Sequence, residues 1–183
     1  VIGETTITVA SSGIRRLHLI PADAEPLPET LAAIAEADLI TVGPGSLYTS
    51  LIPNLLVKGI PQAIRASRAL KAYICNLMTQ PNETLGMSAA DHVRSIYRHA
   101  GEGLFECVLV NQAPLPPELL AKYAESGAEP VRMDRDKLAA LGVDVIEGAY
   151  VSAGDVARHS GEALARQLLP RATRSASYEA LAP

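Results

Sequence analysis

Two polar segments of the 183-residue chain hold most of the residue types that could grip a charged ligand. The first reads Gly43-Pro44-Gly45-Ser46-Leu47-Tyr48-Thr49-Ser50. Its glycines let a backbone come close to an anion, and Ser46, Thr49 and Ser50 add hydroxyls beside the N–H groups of a helix start. Phosphate binding would suit this loop, although it is not a Walker loop, and an ordinary Gly/Pro turn capped by Ser or Thr has the same composition. The second segment, Asn76-Leu77-Met78-Thr79-Gln80-Pro81-Asn82-Glu83-Thr84, is dense in donors and acceptors fit for the edge of a base or sugar. Asn76, Met78, Thr79 and the lone charge Glu83 are its candidate contacts, and a plain polar loop would look similar.

Other chemistry-bearing residues are more scattered. Asn111-Gln112 has little character. His92 and His99 stand seven apart on one predicted helix, not at the i, i+4 spacing of a metal pair. His18 and His159 are isolated, so all four histidines read as structural or surface residues. No HExxH, GxSxG or local Cys/His nucleophile signature occurs. Tyr123 lies on an amphipathic helix. Arg158 falls at the start of the last predicted helix, where a cation opposes the macrodipole unless an anion joins it. A bound phosphate would serve, but a salt bridge to Asp155 is the plainer reading of the residues alone.

The elements that must position these residues alternate. Strands are predicted at 5–10, 15–20, 38–42, 71–75, 106–110 and 129–133, with β-like sequence at 143–151. Helical patterns fall at 28–37, 88–100 (Ser88 as N-cap), 116–125, 134–140 and 155–168. A further helical stretch, 49–68, is cut in two by Pro53 and Pro61. Alternation of this kind predicts an α/β fold, a mostly parallel sheet with helices on both faces and ligands beyond the carboxyl ends of the strands. One domain is expected over 1–170, then an aperiodic, frayed tail at 171–183. The opening at Val1, directly into β-like sequence, reads as the C-terminal part of a longer protein.

Composition excludes several classes. Hydrophobic residues are 48% and charged residues 20%, which excludes a disordered chain. Six Tyr, one Phe and no Trp make no base-stacking platform, and a net charge of −4 gives no basic field for nucleic acid or anionic lipid. No apolar stretch reaches the roughly 18 residues a membrane span needs. Cys75 and Cys107, each in an apolar run, read as buried and reduced rather than as zinc ligands.

In order and at family spacing, GPGSLYTS, PNLLVKGIPQAI, KAYICNLMTQPNETLG and DHV resemble the gluconeogenesis factor (YvcK) family. The likeness runs from VIGET at the start through LLAKYAESGAEPV and KLAALGV to DVARHS. It implies a Rossmann-like fold of the CofD-like 2-phospho-L-lactate transferase superfamily. It also implies a cytoplasmic bacterial protein that binds UDP-sugars, UDP-N-acetylglucosamine above all, and is needed for gluconeogenic growth and cell shape. Within the matching motifs Tyr123 and Arg158 take the places associated with UDP-sugar binding, and Gly43, Pro44, Gly45 and Ser46 would line the nucleotide cleft. The family's GGGTG loop is absent, so an incomplete domain with part of the site is expected. Asn82 and Leu85 stand where members often carry Gly and Asp, which weakens any metal site beside Glu83.

The implied function is ligand sensing: binding shifts a population that a protein partner in cell-wall or carbon regulation reads, and a homo-oligomer is compatible with it. The rival is a phospholactyl-type transferase using Mg²⁺. Such enzymes tend to read GPSNP where this chain has Gly43-Pro44-Gly45-Ser46-Leu47, and their Mg²⁺ needs carboxylates that the 43–50 loop lacks.

Overall fold

Leu70, Ala72 and Ile74 alternate along one strand with Lys71 and Tyr73, and nearly all of them are buried, the mark of a strand covered on both sides. The computed structural model describes residue 2, residues 13–152 and residues 154–179. Four parallel strands pair in sequence order: β1 (Leu39–Val42), β2 (Leu70–Ile74), β3 (Cys107–Asn111) and β4 (Asp144–Gly148). Their register runs Val42 to Tyr73, Tyr73 to Val108 and Val108 to Val145. The expected α/β architecture, Rossmann-like with helices on both faces, is what the chain adopts.

The two faces carry separate cores. Val42, Tyr73, Cys75, Val108 and Val110 face α3 (Ile60–Ala66) and α4 (Ala89–Ala100), together with α1 (Pro28–Glu36), α2 (Ile52–Leu55) and α6 (Arg135–Ala139) at the margin. Phe105 stacks between Tyr73 and Tyr97, with centroids at 5.5 and 5.9 Å, so the scarce aromatics concentrate in this layer. On the other face Ala72, Ile74, Cys107, Leu109 and Ile146 pack on Leu164 and Leu168 of α7 (Gly161–Glu179). The two buried, free cysteines therefore sit on opposite faces.

Local signals explain most boundaries. Ser88 caps α4 in a capping box with Asp91, and burial notwithstanding, bonds from Ser88 and Arg94 hold the Asp91 carboxyl below its usual range. Pro53 and Pro61 lie in the first turns of α2 and α3, where a missing N–H costs nothing, and a π-helical turn at Leu47–Leu51 precedes them.

Other expectations are corrected. The strand predicted at 5–10 lies outside the described residues. Residues 15–20 form no strand; the Leu17 N–H donates instead to His99 Nε2 at 3.0 Å, and only Ile14 and Leu17 reach the core. At 129–133 there is a single bridge, Pro130 to Met78, because proline has no N–H for a ladder. The 143–151 stretch splits into β4 and β5 (Val151–Ser152), and β5 pairs antiparallel with β6 (Arg158–His159). The last helix therefore starts at Gly161, not 155, and Arg158 is a strand residue. It also continues to Glu179, so 171–179 is helical where a frayed tail was expected. No described helix is long and apolar enough to cross a membrane.

After β1 the chain turns at Gly43 with φ +93°, and a Cβ there would lie 2.7 Å from the Ile74 carbonyl oxygen of β2. Gly43→Ala combines strain with a backbone clash and is expected to cost about 1–3 kcal/mol in chemical denaturation. A loss under about 0.5 kcal/mol would show that the turn has room to relax.

Candidate functional site

A parallel sheet ends all its strands at one edge, and the loops leaving β1 and β2 meet there. Asn76 Nδ2 donates to the Gly45 carbonyl at 3.0 Å, and Gln80 Nε2 donates to Ser46 Oγ at 2.8 Å. The second loop is held in turn by Thr79, whose N–H donates to the Glu129 carbonyl at 2.7 Å while its Oγ accepts the Glu129 N–H at 2.9 Å. The two polar segments singled out in the sequence thus form one wall.

The opposite wall is the β5–β6 hairpin and α5 (Pro117–Ala124). The Ala157 N–H donates to Tyr123 Oη at 3.2 Å, and Lys122 Nζ donates to the Asp155 carbonyl at 3.0 Å. His159 Nε2 lies 3.0 Å from the Cys75 carbonyl oxygen, tying β6 to the end of β2. Between the walls is a cavity of about 500 Å³, lined by Pro44, Gly45, Ser46, Asn76, Leu77, Met78, Thr79, Gln80, Pro81, Tyr123, Ser126, Ala157, Arg158 and His159. A second cavity of about 340 Å³ shares Asn76 and Leu77 with it and is walled by Asn111, Gln112 and several apolar side chains.

Of the residues picked from sequence, Pro44, Gly45, Ser46, Asn76, Met78, Thr79, Tyr123 and Arg158 converge on this cleft. Gly43, Thr49, Ser50 and Glu83 do not line it. Gly43 makes the close turn against β2. The Ser50 N–H donates to the Ser46 carbonyl at 2.9 Å, inside the π-helical turn. Glu83, buried, accepts the Tyr48 N–H at 3.3 Å and the Thr49 hydroxyl at 3.0 Å, so it holds that turn to the second loop. Gln80, Ser126, Ala157 and His159 were not among the site residues picked from sequence. His159 adjoins Arg158, but a lone histidine beside an arginine carries no signal until the hairpin turns it over β2.

The cleft is rich in donors and holds no Asp or Glu among its lining residues. Arg158 is exposed, and no carboxylate among the described residues is within ion-pair distance of its guanidinium, Asp155 included. Ser46 Oγ and Tyr123 Oη each accept a bond from the protein and keep their own protons to donate. Burial lowers the His159 pKa, with the Cys75 carbonyl bond pulling the other way. Burial pushes the Cys75 thiol up to about 12, so it stays protonated and is no nucleophile at neutral pH. No group of three or more His, Cys, Asp or Glu among the described residues is placed to hold a metal ion.

The family described as 2-phospho-L-lactate transferase CofD matches residues 1–151. A gluconeogenesis factor of Halalkalibacterium halodurans is 47% identical over 178 residues, covering 97% of this chain and 55% of its own length. The gluconeogenesis factor of Bacillus subtilis is 46% identical over 168 residues, 91% of this chain and 53% of the relative. A crystal structure of a Bacillus halodurans protein, described as a member of the UPF0052 family, superposes with a TM-score of 0.90. It is 48% identical and covers 92% of this chain and 55% of its own. The chain spans about half the length of the curated relatives it matches.

Glu83→Gln keeps shape but weakens two bonds to the π-helical turn. It is expected to lower stability by about 1–3 kcal/mol, read by denaturation, while leaving anion affinity of the folded protein within about twofold. An affinity loss of tenfold at unchanged stability would place Glu83 in the cleft after all.

Proposed function

The chain belongs to the CofD family, alongside relatives named gluconeogenesis factor, and on that premise we propose that its cleft binds a UDP-sugar, with UDP-N-acetylglucosamine the ligand of choice. The observation that carries this reading is the charge pattern of the cavity: a guanidinium with no ion-pair partner among the described residues and free hydroxyl protons, with no carboxylate among the described lining residues to repel a diphosphate. A guanidinium grips such an anion in a fork, and the hydroxyls lining the pocket add donors to the contact. Arg158 and Ser46 would hold the diphosphate from opposite walls. The adjoining chamber, with amides of Asn111 and Gln112 among apolar side chains, suits an uncharged ring at one end of the ligand.

Binding is expected to act by population shift. The ligand bridges the β1–β2 loops and the hairpin, adding to the His159 bond and to the apolar packing of Leu77 and Met78 against Tyr123, Val151 and Ala157, and stabilises the arrangement in which they are closed. A protein partner that recognises the closed form would then read UDP-sugar supply in a bacterial cytoplasm, tying cell-wall precursor level to gluconeogenic growth and cell shape.

The transferase reading needs Mg²⁺ at the phosphates. The residues present do not fit it: Mg²⁺ takes oxygen ligands with at least one carboxylate, none lines the cleft, and the Glu83 oxygens are engaged by Tyr48 and Thr49. The donor set therefore favours binding over phospholactyl transfer.

The test is ligand-induced thermal stabilisation of the full-length protein. At a hundredfold excess over Kd, UDP-N-acetylglucosamine should stabilise it by about 2.7 kcal/mol. Arg158→Ala should abolish the shift. Tyr123→Phe, which loses the bond from the Ala157 N–H, should weaken binding about fivefold. Stabilisation by GDP but not by UDP-sugars would overturn the reading in favour of the transferase.

A further inference from the structure

His159 is the one lining residue whose ring must offer the cleft an acceptor. Its Nε2 faces the Cys75 carbonyl at 3.0 Å, and a carbonyl oxygen can only accept. Nε2 therefore carries the proton, and in the neutral ring Nδ1 is a lone pair. No described residue donates to Nδ1, it is not among the buried side-chain atoms left without a partner, and the residue lines the cleft. Arg158, Tyr123 and Ser46, which line the same cavity, can all donate.

Resting on the UDP-sugar reading, we infer that His159 is a specificity-determining residue: its Nδ1 accepts a hydrogen bond from a hydroxyl or acetamido N–H that the ligand carries next to its diphosphate. A lone pair in that position repels phosphate oxygens and rewards a neighbouring donor, so it separates a sugar-bearing diphosphate from a bare one. This complements Arg158, the adjacent residue, which binds either. The plainer role, a staple joining β6 to β2, uses only Nε2.

The two roles reside on different nitrogens, so they can be separated. His159→Gln places an amide N–H near the Nε2 position and keeps the staple, with no acceptor at Nδ1. His159→Asn places an amide near Nδ1 and leaves the Cys75 carbonyl unpaired. Of the titratable and charged groups, Arg158 and Tyr123 line the cleft with His159, and the ring meets the carbonyl of Cys75, just after β2. Burial depresses the ring's pKa below its usual value, so it is neutral at pH 7 and charges only on further acidification. Protonation fills the lone pair, so affinity for the sugar nucleotide is lost as pH falls through that pKa. The diphosphate diester has no titrating group in this window.

The experiment is calorimetric titration of the full-length protein with UDP-N-acetylglucosamine and with inorganic pyrophosphate between pH 5 and pH 8. Wild type should bind the sugar nucleotide with constant affinity around neutral pH and progressively less on the acid side, below the range of an ordinary imidazole. His159→Gln should bind it about tenfold more weakly at pH 7.5, lose the acid-side decline, keep its Tm and bind pyrophosphate as before. His159→Asn should lower Tm yet retain more sugar-nucleotide affinity than the Gln variant. If Arg158→Ala abolishes binding while His159→Gln binds like wild type, or if wild-type affinity rises on acidification, this inference falls and the UDP-sugar reading stands. If the wild type does not bind UDP-N-acetylglucosamine at any pH, the parent reading falls and takes the inference with it.

Discussion

The carboxyl edge of a parallel sheet leaves backbone carbonyls that no ladder will pair, and buried carbonyls must find donors. In this chain the donors come from far along the sequence. His159 donates to the Cys75 carbonyl after β2, Asn76 to that of Gly45 after β1, and the Gln112 N–H to that of Gly148 at the end of β4. At the end of β3 the Asn111 side chain accepts the Tyr150 N–H at 2.9 Å and donates to the Ala113 carbonyl at 2.8 Å. Satisfying that edge pulls the two polar loops together and folds the β5–β6 hairpin over β2. The cleft is what those constraints enclose.

The hairpin is where structure and function meet. It spans only two residues on each side, too little to hold a position by itself. Its place depends on His159 at one end and on the Tyr123 and Lys122 bonds to Ala157 and Asp155 at the other. Tyr123 is half-buried among Leu77, Met78, Leu115 and Leu119, which makes α5 a rigid arm for the hairpin. A tyrosine on one helix and an arginine on a distant strand thus become neighbours through one backbone N–H.

Elements whose signals are local were legible in the sequence. The apolar run of β2 and the Ser88 cap of α4 each depend on a few adjacent residues, and each forms close to its expected bounds, whereas Pro53 and Pro61, expected to interrupt a helix, stand in the first turns of α2 and α3. The failures share a cause. Residues 15–20 alternate like a strand, yet a strand needs a partner edge, and here the Leu17 N–H finds a histidine side chain instead. Arg158 read as a helix start because its pairing with Ser152 is invisible to a helical window. For the site, the two polar loops stood out by composition, whereas Tyr123 and Arg158 entered through family likeness. His159 in sequence reads as a structural or surface residue, since its tautomer is fixed only once the Cys75 carbonyl is beside it. Glu83 was the opposite case: an isolated carboxylate in a polar loop that turns inward to hold the π-helical turn.

The proposed ligand bridges the two walls of this cleft. Amide hydrogen exchange of the full-length protein, with and without saturating UDP-N-acetylglucosamine, reads both walls at once. A bridging ligand slows exchange together in the 43–50 loop, the 76–84 loop and the hairpin around 151–159, with the sheet core unchanged. Protection confined to one wall, or appearing only at a site remote from the strand ends, would rule out such a bridge.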